Sequence, residues 1–409
     1  MLLAVAGCCS LRAAPQLKYV VIVSRHGVRS PTWDAARLNQ YSAKPWPDWG
    51  VAPGELTPHG FRDISILGAY YRNRFAHEGL LAASGCQDKR KVYIWADTDQ
   101  RTLETGRAFS ESVMSGCGVA VNSRGKGAKD PIFAGVPGAE VVVARVEAEL
   151  RANADPEKLF RDHRTALDTL QFILDEGGKI PKSILTLAAA RKVNRPGLGN
   201  PLQIASTLSE NLLLEYANGM TGADLGWGRL TRKNLFQVLE LHKLYADQTR
   251  RAQGPARARG SNLVAHVLAS LEQAVSGKAV TGAIGPPSTA LLILSGHDTN
   301  LSNIAGILGL SWNLAGYQPN ETPPGGALLI SLLRDSASGA HFVHTEFLAA
   351  GLDQMRDAVA LTQAAPPMSE ATAISGCGSG FLSRICEWRK FKAAAVDSID
   401  HKSIDFELP

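Results

Sequence analysis

The run Tyr19-Val20-Val21-Ile22-Val23 is apolar at every position and rich in β-branched side chains. Successive side chains of a strand point to opposite faces, so a run with no polar member must be covered on both faces, as in a parallel sheet flanked by helices. A second such run, Leu291-Leu292-Ile293-Leu294, lies far along the chain. Both end abruptly in polar clusters. The first runs into Arg25-His26-Gly27-Val28-Arg29-Ser30-Pro31-Thr32, and the second into Gly296-His297-Asp298-Thr299-Asn300. In open parallel sheets, ligands bind beyond the carboxyl ends of the strands, so clusters distant in sequence can share one pocket.

The intervening pattern fits this class. Thr57-Pro58 reads as an N-cap and a first-turn proline, after which Phe61, Ile64, Leu67, Tyr71 and Phe75 recur at helical spacing. Val92 to Trp95 reads as a short strand, followed by the polar loop Ala96-Asp97-Thr98-Asp99-Gln100-Arg101 and a helical stretch toward Met114. The fold class expected is α/β, a mostly parallel central sheet flanked by helices with an inserted, mainly α-helical domain. The 409 residues are divided as a leader at 1–14, an α/β domain built from 15–137 and 279–409, and a helical insertion at 138–278. Leu159 to Glu176 and Leu202 to Tyr216 are the clearest amphipathic pieces of the insertion, and Ala327 to Leu333 with His341 to Phe347 are expected as an added antiparallel pair. Arg250 to Gly260 carries four arginines among Gly and Pro and reads as a solvated basic loop.

Met1 to Ser10 is uncharged and too short to span a bilayer, which needs about 20 residues. It reads as an export leader, placing the protein in the periplasm or outside the cell. Val5-Ala6-Gly7-Cys8 also fits a lipoprotein cleavage box that would acylate Cys8. Behind the leader remain Cys86, Cys117, Cys377 and Cys386, which allow three connectivities. Pairing Cys86 with Cys117 and Cys377 with Cys386 is favoured, since each bond then closes a loop inside one region; four reduced, buried thiols are the alternative. No Cys-x-x-Cys or zinc-spaced His pair occurs, and neither metal nor cofactor is expected. A net charge of +5 with no aromatics interleaved among the arginines does not describe a nucleic-acid binder.

An imidazole flanked by guanidiniums calls for an anion to neutralise the gathered charge, and arginine forks match phosphate oxygens. The longer signature Arg25-His26-Gly27-x-Arg29-x-Pro31 with the distant His297-Asp298 resembles the histidine acid phosphatase branch of the histidine phosphatase superfamily, above all its bacterial periplasmic phytase and sugar-phosphatase members. Trp46-Pro47-Asp48-Trp49, Leu56-Thr57-Pro58, Ala96 to Thr102, Asp130-Pro131-Ile132-Phe133, Gly226-Trp227-Gly228-Arg229 and Thr322-Pro323-Pro324-Gly325-Gly326 follow in the family's order, so the resemblance covers nearly the whole chain behind the leader.

The resemblance implies a phosphoglycerate mutase-like fold and disulfides at positions like those proposed above. It implies that His26 is the nucleophile, becoming a phosphohistidine, and that Asp298 protonates the leaving oxygen. Arg25, Arg29, Arg101 and His297 would hold the phosphoryl oxygens, with best activity at acid pH. Thr32, Trp33, Asp97, Glu210 and Thr299 match positions near the substrate, although Asp97 could instead cap a loop and Glu210 could face solvent. Several phytase relatives carry a lysine where this chain has Trp33. Phosphate monoesters are thus the expected small-molecule partners of a monomeric enzyme, with inositol hexakisphosphate first and sugar phosphates or a broad ester range as the alternative. A mutase-like transferase and a non-catalytic phosphate-binding protein are the competing classes.

Overall fold

Strand β1 (Gln16–Arg25) carries the first apolar run, and its residues from Tyr19 onward are buried. The computed structural model describes residues 15–125, 127–152, 155–175, 201–374, 376–377 and 384–407, so the leader and the Cys8 acylation reading lie outside the described residues. After β1 the chain forms helix α1 (Pro58–His77), strand β2 (Val92–Ala96), helix α2 (Gln100–Val113) and the short strand β3 (Val121–Asn122). Every described element from there to the second apolar run is helical: chiefly α3 (Ala139–Ala152), α4 (Arg164–Leu174), α5 (Pro201–Ala217), α6 (Arg232–Ala246) and α7 (Gln253–Ser276). Strand β4 (Leu291–Gly296) and helix α8 (Asp298–Leu308) follow, then β5 (Ala327–Arg334), β6 (His341–Ala349), β7 (Met368–Ala371), β8 (Ile385–Glu387) and α9 (Trp388–Ser398).

The sheet runs β3-β2-β4-β1-β5-β6-β7, with β8 also paired to β6. Strands β3, β2, β4 and β1 are parallel, in a register that sets Arg25 opposite Gly296. That pairing brings the two polar clusters side by side. From β5 onward the pairing is antiparallel, as expected for 327–333 and 341–347, and the short strands β7 and β8 enlarge that half. They are too short to show a periodicity.

One local reading needs correction. Residues 253–260, expected as a solvated loop, are the first turns of α7, and Asp247–Arg251 is a π-helical turn. Pro255 is tolerated there because a first-turn residue has no intrahelical acceptor for its N–H. Gly260 is required by packing, since a Cβ at that position would sit 2.7 Å from the Cβ of Asn303 on α8. The arginines are engaged: Arg251 donates to the Leu310 carbonyl at 2.9 Å and Arg257 to that of Ser398 at 2.8 Å. The structure joins Cys86 to Cys117 and Cys377 to Cys386, the favoured connectivity. No helix among the described residues is long and apolar enough to cross a membrane.

Candidate active site

His26 follows β1 directly and is fixed through its backbone, its N–H donating to the Gly296 carbonyl at 2.9 Å and its C=O accepting from the Gly325 N–H at 3.0 Å. Gly27 makes the turn possible by close packing: a Cβ there would lie 2.7 Å from the Gly60 carbonyl oxygen at the start of α1. The His26 ring is buried, and its Nδ1 lies 2.8 Å from the Gly27 carbonyl oxygen. A carbonyl can only accept, so Nδ1 carries the proton and Nε2 presents a lone pair. Burial holds the imidazole well below its ordinary pKa, reinforced by Arg25, Arg101, Arg29 and His297. The ring therefore stays neutral well below the ordinary imidazole range, with Nε2 unprotonated.

His26, Arg29, Arg101, Phe133, His297, Asp298, Thr299 and Asn300 line one cavity of about 240 Å³. The His26 and His297 rings meet edge to face with centroids 5.6 Å apart. Arg101 enters from the first turn of α2, donating to Asp99 at 2.5 Å and to the Gly54 carbonyl at 3.3 Å, with His297 Nδ1 at 3.5 Å. His297 caps α8, and its Nε2 is held by Asp97 Oδ2 at 2.7 Å. Asp97 thus orients an imidazole and, through Oδ1, also accepts the Thr98 N–H of its own loop at 2.8 Å.

Arg25 lies beneath the cavity wall rather than in it: its guanidinium is fully buried and donates to the Thr322 carbonyl at 2.6 Å and to Glu210 at 2.5 Å. Glu210 is not on an exposed helix face. It is buried on α5 and bridges Arg25 to Arg29, its second oxygen 3.2 Å from Arg29 Nη2. Burial pushes its carboxyl up, yet Arg29 and Arg25 outweigh burial and bring it to about 2, so it stays ionised as their counter-ion. Asp298 opens α8 at the edge of the cavity, where its Oδ1 accepts the Thr299 N–H at 2.8 Å.

Thr32 is exposed and Trp33 half-buried, and neither lines the cavity. Trp33 packs under the Arg37 guanidinium, 3.8 Å from its ring centroid, and beside Tyr41. Sequence reasoning missed three participants. Phe133 and Asn300 line the wall, with Asn300 bonded to the Phe133 carbonyl at 2.8 Å and to the His297 N–H at 2.9 Å; both belong to quoted motifs, which was the available signal. Arg250, the third, is ion-paired with Asp298 and sits in the stretch that reads as a loop.

Asp97, Asp99 and His297, and separately Glu210, His242 and Asp298, are close enough to share an ion. Three of these carboxylates are already paired with arginines, Asp99 with Arg101, Glu210 with Arg25 and Arg29, and Asp298 with Arg250, while Asp97 is bonded to His297. We read the groups as ion-paired rather than as metal ligands. What the cleft can do chemically is take a small anion against two guanidiniums and an imidazole, with an unprotonated nitrogen facing it.

Residues 16–347 match the family described as the histidine phosphatase superfamily (branch 2). Phytase AppA of Escherichia coli (strain K12) is 32% identical over 93% of this chain and 92% of its own length. Glucose-1-phosphatase of Salmonella typhimurium is 26% identical, with 88% of each chain covered. Among solved structures, Hafnia alvei phytase in complex with myo-inositol hexakis sulphate has a TM-score of 0.80 to this chain at 30% identity, covering 97% of this chain and 100% of that one.

Proposed function

The chain belongs to the histidine phosphatase superfamily, branch 2, and from that membership we propose a phytase-like histidine acid phosphatase that hydrolyses phosphate monoesters through a phosphohistidine at His26. The observation that carries this reading is the His26 ring, its Nδ1 bonded to the Gly27 carbonyl and its Nε2 left for phosphorus at a cleft lined by Arg29, Arg101 and His297. Those three groups hold the phosphoryl oxygens, with Arg25 adding positive charge from beneath. They stabilise the charge of a loose transition state, which supplies most of the catalysis in phosphoryl transfer. As the Nε2–P bond forms and the ester P–O bond breaks, Asp298 gives its proton to the departing oxygen. A water then attacks the phosphohistidine, Asp298 takes a proton from it, and phosphate leaves with His26 restored.

The pH range follows from two groups of opposite sense. His26 remains an unprotonated nucleophile below the ordinary imidazole range, because burial and then the arginines hold its pKa down. Asp298 must carry a proton to act as the acid, so activity falls as the pH rises.

Inositol polyphosphates are the first substrate class, supported by the similarity to phytases and by the hexakis sulphate bound in one of them. Sugar phosphates are the second reading: the indole of Trp33, already stacked with Arg37, offers an aromatic face beside a cation, and glucose-1-phosphatases are among the relatives. We further propose that 138–278 forms the helical insertion in the α/β domain, supported by the all-helical described elements between β3 and β4. Export to an oxidising compartment is supported by the two disulfides.

The test is a panel of p-nitrophenyl phosphate, glucose 1-phosphate and inositol hexakisphosphate, assayed from acid to neutral pH with and without chelator. Phosphate release that is fastest in acid and indifferent to chelator is expected. Failure to release phosphate from every ester would overturn the reading.

A further inference from the structure

The carboxylate of Asp298 is surrounded by donors. Its Oδ1 accepts from the Thr299 N–H at 2.8 Å and lies 3.4 Å from the Thr299 hydroxyl, while its Oδ2 accepts from Arg250 Nη1. A protonated carboxyl must itself donate from one oxygen: the Thr299 hydroxyl could receive that proton only weakly, 3.4 Å from Oδ1, and the guanidinium on Oδ2 cannot receive it at all. Arg250 is brought there by the π turn Asp247–Arg251 between α6 and α7, the kind of one-turn irregularity that re-aims side chains at functional sites.

That turn is seated on α8, the helix Asp298 opens. The Arg250 carbonyl accepts from Asn303 Nδ2 at 2.8 Å. Gly306 gives the turn room, since a Cβ at Gly306 would lie 2.2 Å from the Arg251 carbonyl oxygen. The Arg250 guanidinium also lies 5.8 Å from the Tyr245 ring centroid. Arg250 is thus held through its ion pair with Asp298, through its carbonyl and against the Tyr245 ring.

The other groups facing Asp298 leave Arg250 as its dominant counter-charge. Arg25 and Arg29 already share Glu210. His242 on α6 is held down to about 4 by burial, and His26 well below its ordinary range, so above about pH 5 neither imidazole carries much charge, and both act on Asp298 less than Arg250 and Arg25 do. Glu321, in the loop before β5, is pushed up to about 8 by burial and is neutral as well. For Asp298 itself burial acts upward, but Arg250 and then Arg25 overcome it, and the carboxyl lies well below the usual range.

We propose that Arg250 is the positioning residue of the proton donor: its ion pair keeps Asp298 an ionised, oriented carboxylate in the empty site and confines the step that needs the Asp298 proton to acid pH. This rests on the reading of Asp298 as the acid. The proton is taken from water onto Oδ2, which requires the Arg250 contact to open. It then passes to the ester oxygen as the P–O bond breaks and the His26 Nε2–P bond forms. Entry of a phosphate dianion beside Asp298 favours both events, because it attracts Arg250 and raises the proton affinity of the carboxylate.

The experiment compares kcat/KM against pH for wild type and Arg250→Gln with two esters: glycerol 2-phosphate, whose alkoxide leaves poorly, and p-nitrophenyl phosphate, whose phenolate leaves well. Removing a cation in contact with a carboxylate raises its pKa by about 1–3 units. The alkaline limb for glycerol 2-phosphate is expected to move up by that amount, and the limb for p-nitrophenyl phosphate much less. Arg250→Lys is expected to restore the wild-type limb, and in an Asp298→Asn background Arg250→Gln should leave the profile where it was.

A limb that stays in place, or a uniform loss at every pH with both esters, overturns the assignment. If Arg250→Gln does not fold, the wild-type protein carries the test: the infrared difference against Asp298→Asn should show an ionised carboxylate at about pH 4. A protonated carboxyl there overturns it. Wild-type protein inert toward every ester would instead mark failure of the phosphatase reading, so the two failures are distinguishable.

Discussion

Replacing His26 by Ala is expected to reduce kcat by roughly 10⁴-fold or more with every ester, because removal of a nucleophile leaves only the binding groups around it. KM should change far less, since Arg29, Arg101 and His297 remain on the cavity wall and Arg25 beneath it. The imidazole bonds to the carbonyl of the adjacent Gly27, while the backbone of His26 is held separately by Gly296 and Gly325. Its removal therefore breaks about one hydrogen bond, worth about 1 kcal/mol, and the fold should survive. Circular dichroism and phosphate binding by the variant supply the control. Turnover within tenfold of wild type would show that some other group attacks phosphorus.

The second large effect belongs to Asp298. In Asp298→Asn, turnover of glycerol 2-phosphate is expected to fall by about 10² to 10⁴, the usual worth of a positioned general acid, while p-nitrophenyl phosphate should lose about tenfold or less. The asymmetry is what identifies an acid, because a phenolate needs no proton to depart. The amide keeps an oxygen to accept the Thr299 N–H, so the first turn of α8 is preserved. It removes the negative partner of Arg250, however, and leaving this partly buried charge unpaired costs stability, by less than the about 3–5 kcal/mol of a fully buried pair. Melting temperatures must therefore accompany the kinetics. Equal losses with both esters would assign Asp298 to binding rather than to proton transfer.

Both predictions begin from residues whose convergence was legible before any coordinates. Val20 to Ser24 and Leu291 to Ser295 pair in parallel because each run is apolar on both faces and can only be buried by helices above and below, and the register then delivers Arg25 beside Gly296. The cysteine pairing was legible for a similar reason, each pair closing a short segment inside one region.

What was not legible depends on partners rather than on periodicity. Nothing in the sequence says which neighbour makes Gly27 necessary; it is the Gly60 carbonyl of α1 that lies against it. Glu210 carries no mark in sequence that separates an exposed helical glutamate from one buried between two arginines. Arg250 was hidden more thoroughly. Gly254, Pro255 and Gly260 give its neighbourhood the composition of a loop, yet the proline occupies a helix start and Gly260 lies against Asn303. The π turn that aims Arg250 has no sequence signature of its own.

A covalent bond between phosphorus and His26 Nε2 is trapped by rapid quench in base, where phosphohistidine survives. With a ³²P-labelled ester, protein-bound label is expected within the first turnover, mapped to the peptide containing His26 and absent from His26→Ala. Phosphate appearing with no label on His26 at any time, or label on a different residue, would contradict it.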